Sequence, residues 1–594
     1  MNRVVLCILL AAGVLAAIVF GSDGWANTQG DRVFYVNFEQ GDDSRSGLGA
    51  DQAWQHAPGD PAATGTAAGM RLLPGDRVVF APGVTYRGAI EVKAAGTAEK
   101  PIIFEGGQGG AAVIDGSDPV EVRPCPSAEA CGGAANWQQL VLIGATRPAE
   151  GEMALFTTSG PLRPAQDPDP SSDFYRHEPP DMAEADGRQL ERGQVSLPRD
   201  MRARVSPGAS LALWVRPNLV QERPITGVDG NNALFDPAGL EFYKDRPSRV
   251  AIVNSIGALD RPGEYVVLPG NAGVVAMLPQ GASTVSLGSG RGGFNLGGAS
   301  FVTIRNLTFA NMADGGKIFG GIAVFSNMRR NQGITVEGSR FLHSVMSKGQ
   351  GPITLRGVND IAIRDNLIEG VALGSGMRIS GPSSDVRITG NTVRRVGRTG
   401  IMLMGVDGGL VTRNLVEDVR GVHGNGVSAY LANHNVRFVE NIVRDAVRPV
   451  TFHGAGDDQA QDNALSFERN ILIASEGATA SLTSWGRSTR DVRIVGNVLL
   501  GGRFGLQMNA SDRNVVIDHN FGLAPSFPRG KSGDWRMGDN RWTTPGQRVQ
   551  RAWGATGDAG TAGELSDMKA FLCANGTGQP GGGEPMRIGT EVMC

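Results

Sequence analysis

The chain has 594 residues, 86 of them glycine, with aromatics at only 6% and a formal net charge of −3. Glycine at about twice its usual ~7% share, with no Gly-X-Y period, suits many short strands joined by tight turns and excludes a collagen-like rod. The near-neutral balance excludes a global basic field, so nucleic acid is not an expected partner and charge-driven recognition has to be local.

The chain opens on Met1-Asn2-Arg3, an apolar run from Val4 to Phe20, and small or polar residues through Ala26. A positive start, an apolar centre and a small-residue end predict a secretory signal over 1–26, and hence a secreted or periplasmic protein. The rival reading is an uncleaved membrane anchor, because a bilayer span needs roughly 17–25 residues and this run sits at the lower edge. Cys7 lies in the segment, leaving Cys125, Cys131, Cys573 and Cys594. In an exported protein the two local pairings are expected, Cys125 with Cys131 and Cys573 with Cys594; no histidines at ligand spacing suggest zinc.

Residues 32–139 read as strands and turns, through Phe34-Tyr-Val, Leu73-Pro-Gly-Asp-Arg-Val-Val-Phe80, Gly83-Val-Thr-Tyr-Arg-Gly88 and Gly96-Thr-Ala-Glu-Lys-Pro-Ile-Ile103, with Asp76 as a structural turn residue. Residues 140–290 break that rhythm. Leu155-Phe156, Leu211-Ala-Leu-Trp-Val215 and Asp260-Arg-Pro-Gly-Glu-Tyr265 predict further strands, while Pro, Asp and Gly crowd Pro161 to Gly187. The span reads as an inserted β-rich module with a long loop.

Residues 291–525 carry a repeat: a short alternating strand ending in asparagine. Copies include Val302-Thr-Ile-Arg-Asn306, Ile361-Ala-Ile-Arg-Asp-Asn366, Val386-Arg-Ile-Thr-Gly-Asn391, Val436-Arg-Phe-Val-Glu-Asn441, Val492-Arg-Ile-Val-Gly-Asn497 and Val515-Val-Ile-Asp-His-Asn520. Asn414 and Asn470 close two more, and Ser339 takes the place in another. Successive intervals of 33, 27, 25, 23, 27, 29, 27 and 23 residues describe a coil of variable turn length. Asparagine tolerates the left-handed backbone of a sharp bend, and its amide can bond to the asparagine one turn away, so a ladder at one corner is expected. A second short strand follows each asparagine. A third is led by glycine, as in Gly376-Met-Arg-Ile-Ser380, Gly400-Ile-Met-Leu-Met404, Gly426-Val-Ser-Ala-Tyr430 and Gly505-Leu-Gln-Met-Asn509. Period-two alternation inside runs of about five excludes heptads and helical repeats. Residues 526–594 bring Trp535, Trp542 and Trp553 and are expected to cap the open end, which would otherwise expose a sheet edge.

The asparagine-ended strand followed by a glycine-led strand resembles the repeat of pectate-lyase-like right-handed parallel β-helix proteins. Residues 32–115 are similar to the N-terminal entry of their exported polysaccharide-processing members. The repeat itself reads as an all-β, three-strand solenoid, and a monomer is expected; the likeness implies a polysaccharide partner. It is specific for fold and not for reaction, because lyases, glycosidases, epimerases and adhesins share it. It also implies calcium held by acids on one face; the strands here lack those acids, so no cofactor is assigned and calcium stays an open alternative.

Alternation points Ile353, Leu355, Met377, Ile379, Ile401, Leu403, Val427, Ala429, Val450 and Phe452 inward, and turns their neighbours to solvent together. The outward column reads Thr354, Arg356, Arg378, Ser380, Met402, Met404, Ser428, Tyr430, Thr451, His453, Gln507 and Asn509, with Trp485 nearby. Loops add Lys348, Arg398, His423, Asn425, Asp407, Asp457 and Asp458. Glycosidase carboxylates stand roughly 5–9.5 Å apart across the scissile bond, and these strands offer none. β-Elimination on a uronate polymer instead needs a cation at the sugar carboxylate, a base for the adjacent proton and an acid for the leaving oxygen. Arg378 and Arg356 suit the first role, His453 or His423 the second and Tyr430 the third, with Lys348, Asn425, Arg398, Trp485 and Asn509 binding substrate. The expectation is an exported polysaccharide lyase acting on an acidic glycan. The alternatives are a glycoside hydrolase using loop acids, favoured by the insertion, and a non-catalytic glycan-binding surface protein.

Overall fold

A computed structural model describes residues 31–146, 148, 152–170, 183–216, 219–314, 320–325, 331–347, 349–454, 463–475, 477–527, 534–543, 587–588 and 591–592. The signal segment, Lys348, Asp457, Asp458, Trp553, Cys573 and Cys594 lie outside the described residues. No helix among the described residues is long and apolar enough to cross a membrane.

The main body is a right-handed parallel β-helix with three strands per turn. The strand after each asparagine joins a 12-stranded parallel sheet, here the middle sheet. The asparagine-ended and glycine-led strands form two parallel columns, which fuse into one 21-stranded sheet because Met377–Thr389 and Thr399–Thr412 run through both without a break. Like residues stack along the coil. Ile363, Ile388, Val411, Phe438, Phe467, Ile494 and Ile517 follow one another in register, all buried. Each such side chain contributes about 1.5–3 kcal/mol by leaving water.

The ladder forms as expected, but its bend differs by one position. From Asn366 through Asn391, Asn414, Asn441, Asn470, Asn497 and Asn520 to Asn540, each side-chain amide donates to the next asparagine's Oδ1 at 2.9–3.0 Å. The left-handed residue is the one before each asparagine from Asn366 to Asn520: Asp365, Gly390, Arg413, Glu440, Arg469, Gly496 and His519 have φ between 52° and 68°. That bend turns the asparagine inward, where its amide replaces the strand hydrogen bonds lost at the corner. Asn306 is displaced from the ladder. It holds the left-handed position itself (φ 54°), and Leu307 follows it at the corner, its N–H donating to Ser339 Oγ.

Glycine leads the third strand because nothing larger fits. A Cβ at Gly376 or Gly400 would stand 2.6 Å from a carbonyl of the next turn and 2.6 Å from a middle-sheet valine, and one at Gly426 only 2.2 Å from Val443.

Among the described residues the coil is interrupted once. Ile102 pairs with Val302, Ala112 with Leu307 and Ala89 with Gly293, so turns that are neighbours in space are separated by about two hundred residues of sequence. Between them, mainly antiparallel sheets run from Ser117 to Gly288, earlier at the start than the change of rhythm near residue 140 suggested. The module has its own cores, one around Leu211, Leu213, Val250 and Ile252, another around Tyr265, Val267 and Val274. It docks on the coil through Ala154 and Phe156, packed against Ala313 and Val345. Cys125 and Cys131 are paired, with Cα atoms 6.1 Å apart. Asp76 is buried and accepts from Arg32 and from the Leu73 N–H, as a structural turn residue should. The coil continues past residue 525 to Thr543, where Trp535 stacks on Phe527 at 4.7 Å.

Candidate functional site

The expected inward residues of the glycine-led strands are buried. Their outward neighbours form two rows. The outer row runs Arg356, Ser380, Met404, Tyr430 in strict register, and His453 and Trp485 continue it. The inner row runs Thr354, Arg378, Met402, Ser428, Thr451, Thr483 and Gln507. Parallel register therefore sets Arg356 opposite Ser380, making it a diagonal rather than a direct neighbour of Arg378. The column is not open to solvent throughout, as alternation alone suggested. Thr354, Ser380, Ser428, Thr451 and Thr483 are buried beneath longer neighbours and form a hydroxyl floor, with Thr451 donating to Ser428 at 3.0 Å.

Above that floor Arg356, Arg378, Arg398, His423, Tyr430 and His453 come together. The Tyr430 and His453 rings meet edge to face at 4.9 Å. Burial, then the charge of Arg356, lowers the Arg378 pKa, with Tyr430 acting the other way. Burial and the charge of Arg378 lower that of Arg398. His423, held at φ 73° in the loop before its strand, is pushed down to about 4 by burial and by Arg398, Arg448 and His453. Burial and Arg448 push His453 down to about 4 as well. Both imidazoles are therefore neutral at pH 7, each with a ring nitrogen able to accept a proton.

Asn425 sits at the head of its strand, between Thr399 and Arg448 of the adjoining turns. Its Oδ1 and the Thr399 Oγ1 are buried with no hydrogen-bond partner among the described residues. Orphaned buried polar groups cost about 1–3 kcal/mol each, and sugar hydroxyls are suitable partners. Trp485 is 48% exposed, with the Arg448 guanidinium 5.0 Å from its ring centre. Asn509 stands farther along the coil, its amide donating to Gly486 O at 2.6 Å. Asp407 pairs with Ser384 and His434 on the asparagine-ended side of the bend, away from the glycine-led strands.

Arg448 was missed by the sequence reading. By alternation from Val450 it should point inward, but at a strand head the chain is still turning, and its side chain reaches Trp485 and influences both histidines. Membership of a row at strand heads, with Thr399 and Asn425, is visible only once the turns are in register.

For calcium the face is a poor fit. From Thr354 to Asn509 the outward positions of the glycine-led strands carry no carboxylate. The one metal-capable cluster of acids among the described residues, Asp169, Asp260 and Glu264, lies in the antiparallel module. There Arg163 pairs with Glu264 at 3.2 Å and Arg261 with Asp169 at 2.8 Å.

The family model for the right handed beta helix region matches residues 292–499. Fold and match together define a right-handed parallel β-helix protein. No curated protein sequence matches the chain. Among solved structures, a protein called a glycoside hydrolase aligns with a TM-score of 0.54 at 11% identity, over 86% of this chain and 97% of its own. XylC in complex with xylose gives 0.38 at 11% identity, over 85% and 86%. The GH136 lacto-N-biosidase from Eubacterium ramulus gives 0.31 at 10%, over 86% and 68%. At these identities the likeness concerns the fold.

Proposed function

We propose that the protein is an exported carbohydrate-active enzyme that cleaves an acidic, uronate-containing polysaccharide by β-elimination on its glycine-led face. The observation that carries this reading is a set of guanidiniums, Arg356, Arg378, Arg398 and Arg448, around two neutral imidazoles and a phenol, on strands bare of carboxylates. In this reading Arg378, helped by Arg356, pairs with the uronate carboxylate through its planar fork and makes the adjacent C–H more acidic. Neutral His453, or His423 beside it, takes that proton. The electron pair forms the ring double bond as the glycosidic C–O bond breaks, and the Tyr430 hydroxyl protonates the leaving oxygen. Thr399, Asn425 and Trp485 serve as binding partners for hydroxyls and a sugar face, and Asn509 and Lys348 keep the binding roles expected of them.

Hydrolysis is the second reading, supported by the name of the aligned glycoside hydrolase and by the buried Asp314, whose Oδ1 has no partner among the described residues. The test is incubation with a panel of uronate and neutral glycans. Elimination generates ultraviolet-absorbing unsaturated ends; hydrolysis generates reducing ends without them. Products of the second kind alone would overturn the lyase reading.

A further inference from the structure

The module's sheet presents a second basic surface to the same cleft. In the strand Ser210–Arg216, Leu213 and Val215 face the module core, which turns Trp214 and Arg216 outward, and Arg249 is the cross-strand partner of Trp214. These residues and Arg246 line a cavity of about 370 Å³ whose opposite wall is His423 and Arg448 of the coil. That volume falls within the roughly 300–1,000 Å³ of small-ligand sites.

Four guanidiniums around one cavity repel one another, and the offset is partial: Glu184 stands opposite Arg249 on the neighbouring strand without forming an ion pair with it. Arg216 pairs with Glu241 at 3.1 Å, whereas Arg246, Arg249 and Arg448 make no ion pair among the described residues. Aromatic faces hold the cations instead. Arg246 and Arg216 lie 4.5 and 5.5 Å from the Tyr243 ring centre, and Arg448 lies over Trp485. A guanidinium stacked by its face keeps its N–H edge for an oxyanion.

We propose that this junction is an anion-binding subsite that takes a second acidic group, a carboxylate or a sulfate ester, of the same polysaccharide chain. The inserted module is then part of the substrate cleft and selects for long, multiply charged chains. The proposal takes from the preceding section only the acidic nature of the substrate and is independent of elimination.

The test is equilibrium binding of the full chain, wild type and Arg246→Gln/Arg249→Gln, to oligogalacturonides and heparin oligosaccharides from dimer to octamer. The wild type is expected to prefer long oligomers. The double variant is expected to reduce the ratio of long- to short-oligomer affinity by about tenfold or more, the effect of losing hydrogen bonds to a charged group. Loss with both probes assigns carboxylate binding, and loss with heparin alone assigns sulfate. An unchanged ratio with both, or no binding of either by the wild type, overturns the subsite. A length-dependent loss in a protein that releases no unsaturated ends would leave the subsite standing and remove the lyase reading. Unsaturated ends with an unchanged ratio would do the reverse.

Discussion

Two outer surfaces of one coil use arginine in opposite ways. On the asparagine-ended and middle sheets, guanidiniums pair with carboxylates one turn away: Arg305 with Glu105 at 2.7 Å, Arg394 with Glu369 at 2.8 Å, Arg437 with Glu468 at 2.9 Å, Arg444 with Glu417 at 2.5 Å and Arg469 with Glu440 at 2.9 Å. On the glycine-led face, Arg356, Arg398 and Arg448 have no ion pair among the described residues. Arg394 and Arg398 make the contrast within one turn. A hydrogen bond to Glu369 raises the pKa of the first, and burial lowers that of the second. A surface that only solvates its sheet has no reason to keep Arg398 and Arg448 half-buried and unpaired, whereas a surface that binds an anion does.

The contrast is open to experiment. The largest effect is expected from Tyr430→Phe and His453→Ala, which should each lower kcat on a uronate polymer by about 10²–10⁴-fold, the usual worth of a general acid or base. If both left the release of unsaturated ends intact, the roles assigned to this face would fail. Arg398→Gln should weaken substrate binding while leaving the melting temperature equal to or above wild type, because it removes a desolvated, repelled charge of the kind that trades stability for activity. A fall in melting temperature would mean that Arg398 is structural.

Within the coil, Asn414→Ala should destabilise by about 2 kcal/mol or more in denaturant titration, since it orphans buried groups on both neighbouring turns. Acid should act through the histidines. Their folded pKa values of about 4 lie below the ordinary imidazole value of about 6.5, so the fold binds protons less readily than the unfolded chain. Their contribution to stability is full above the ordinary value, declines as the pH drops below it, and is lost by about pH 4. The acid limb of kcat/KM should fall near pH 4, not near 6.5; Arg398→Gln should move it upward if His423 is the base and leave it in place if His453 is, because Arg398 depresses only His423. The smallest effect is expected on the paired faces. Glu369→Gln should cost at most about 1 kcal/mol and leave cleavage unchanged, as for most exposed ion pairs.

Much of the coil was legible because its signals are local. A strand alternates with period two, a glycine is required where a Cβ would strike the next turn, and asparagines recur wherever the chain bends; all three can be read from a few neighbouring residues. The corner conformation was misplaced by one residue because asparagine's own left-handed tendency is a single-residue preference. The ladder instead uses asparagine as a side-chain hydrogen-bonding group and assigns the bend to its predecessor. Tyr430 and His453 could be matched on adjacent turns, since equal positions in consecutive repeats become neighbours. Arg448 could not, because strand heads do not follow the alternation that was counted.

The sequence by itself therefore determined the solenoid, its three strands per turn and which side chains leave the core, because backbone sterics and period-two burial act within a few residues. Only the tertiary structure decided which arginines are neutralised and which are not, that the module begins at Ser117 and faces His423 and Arg448, and that Thr354, Ser380, Ser428, Thr451 and Thr483 lie buried as a floor. Those outcomes depend on how many residues each turn spends before returning, and on contacts between segments more than a hundred residues apart.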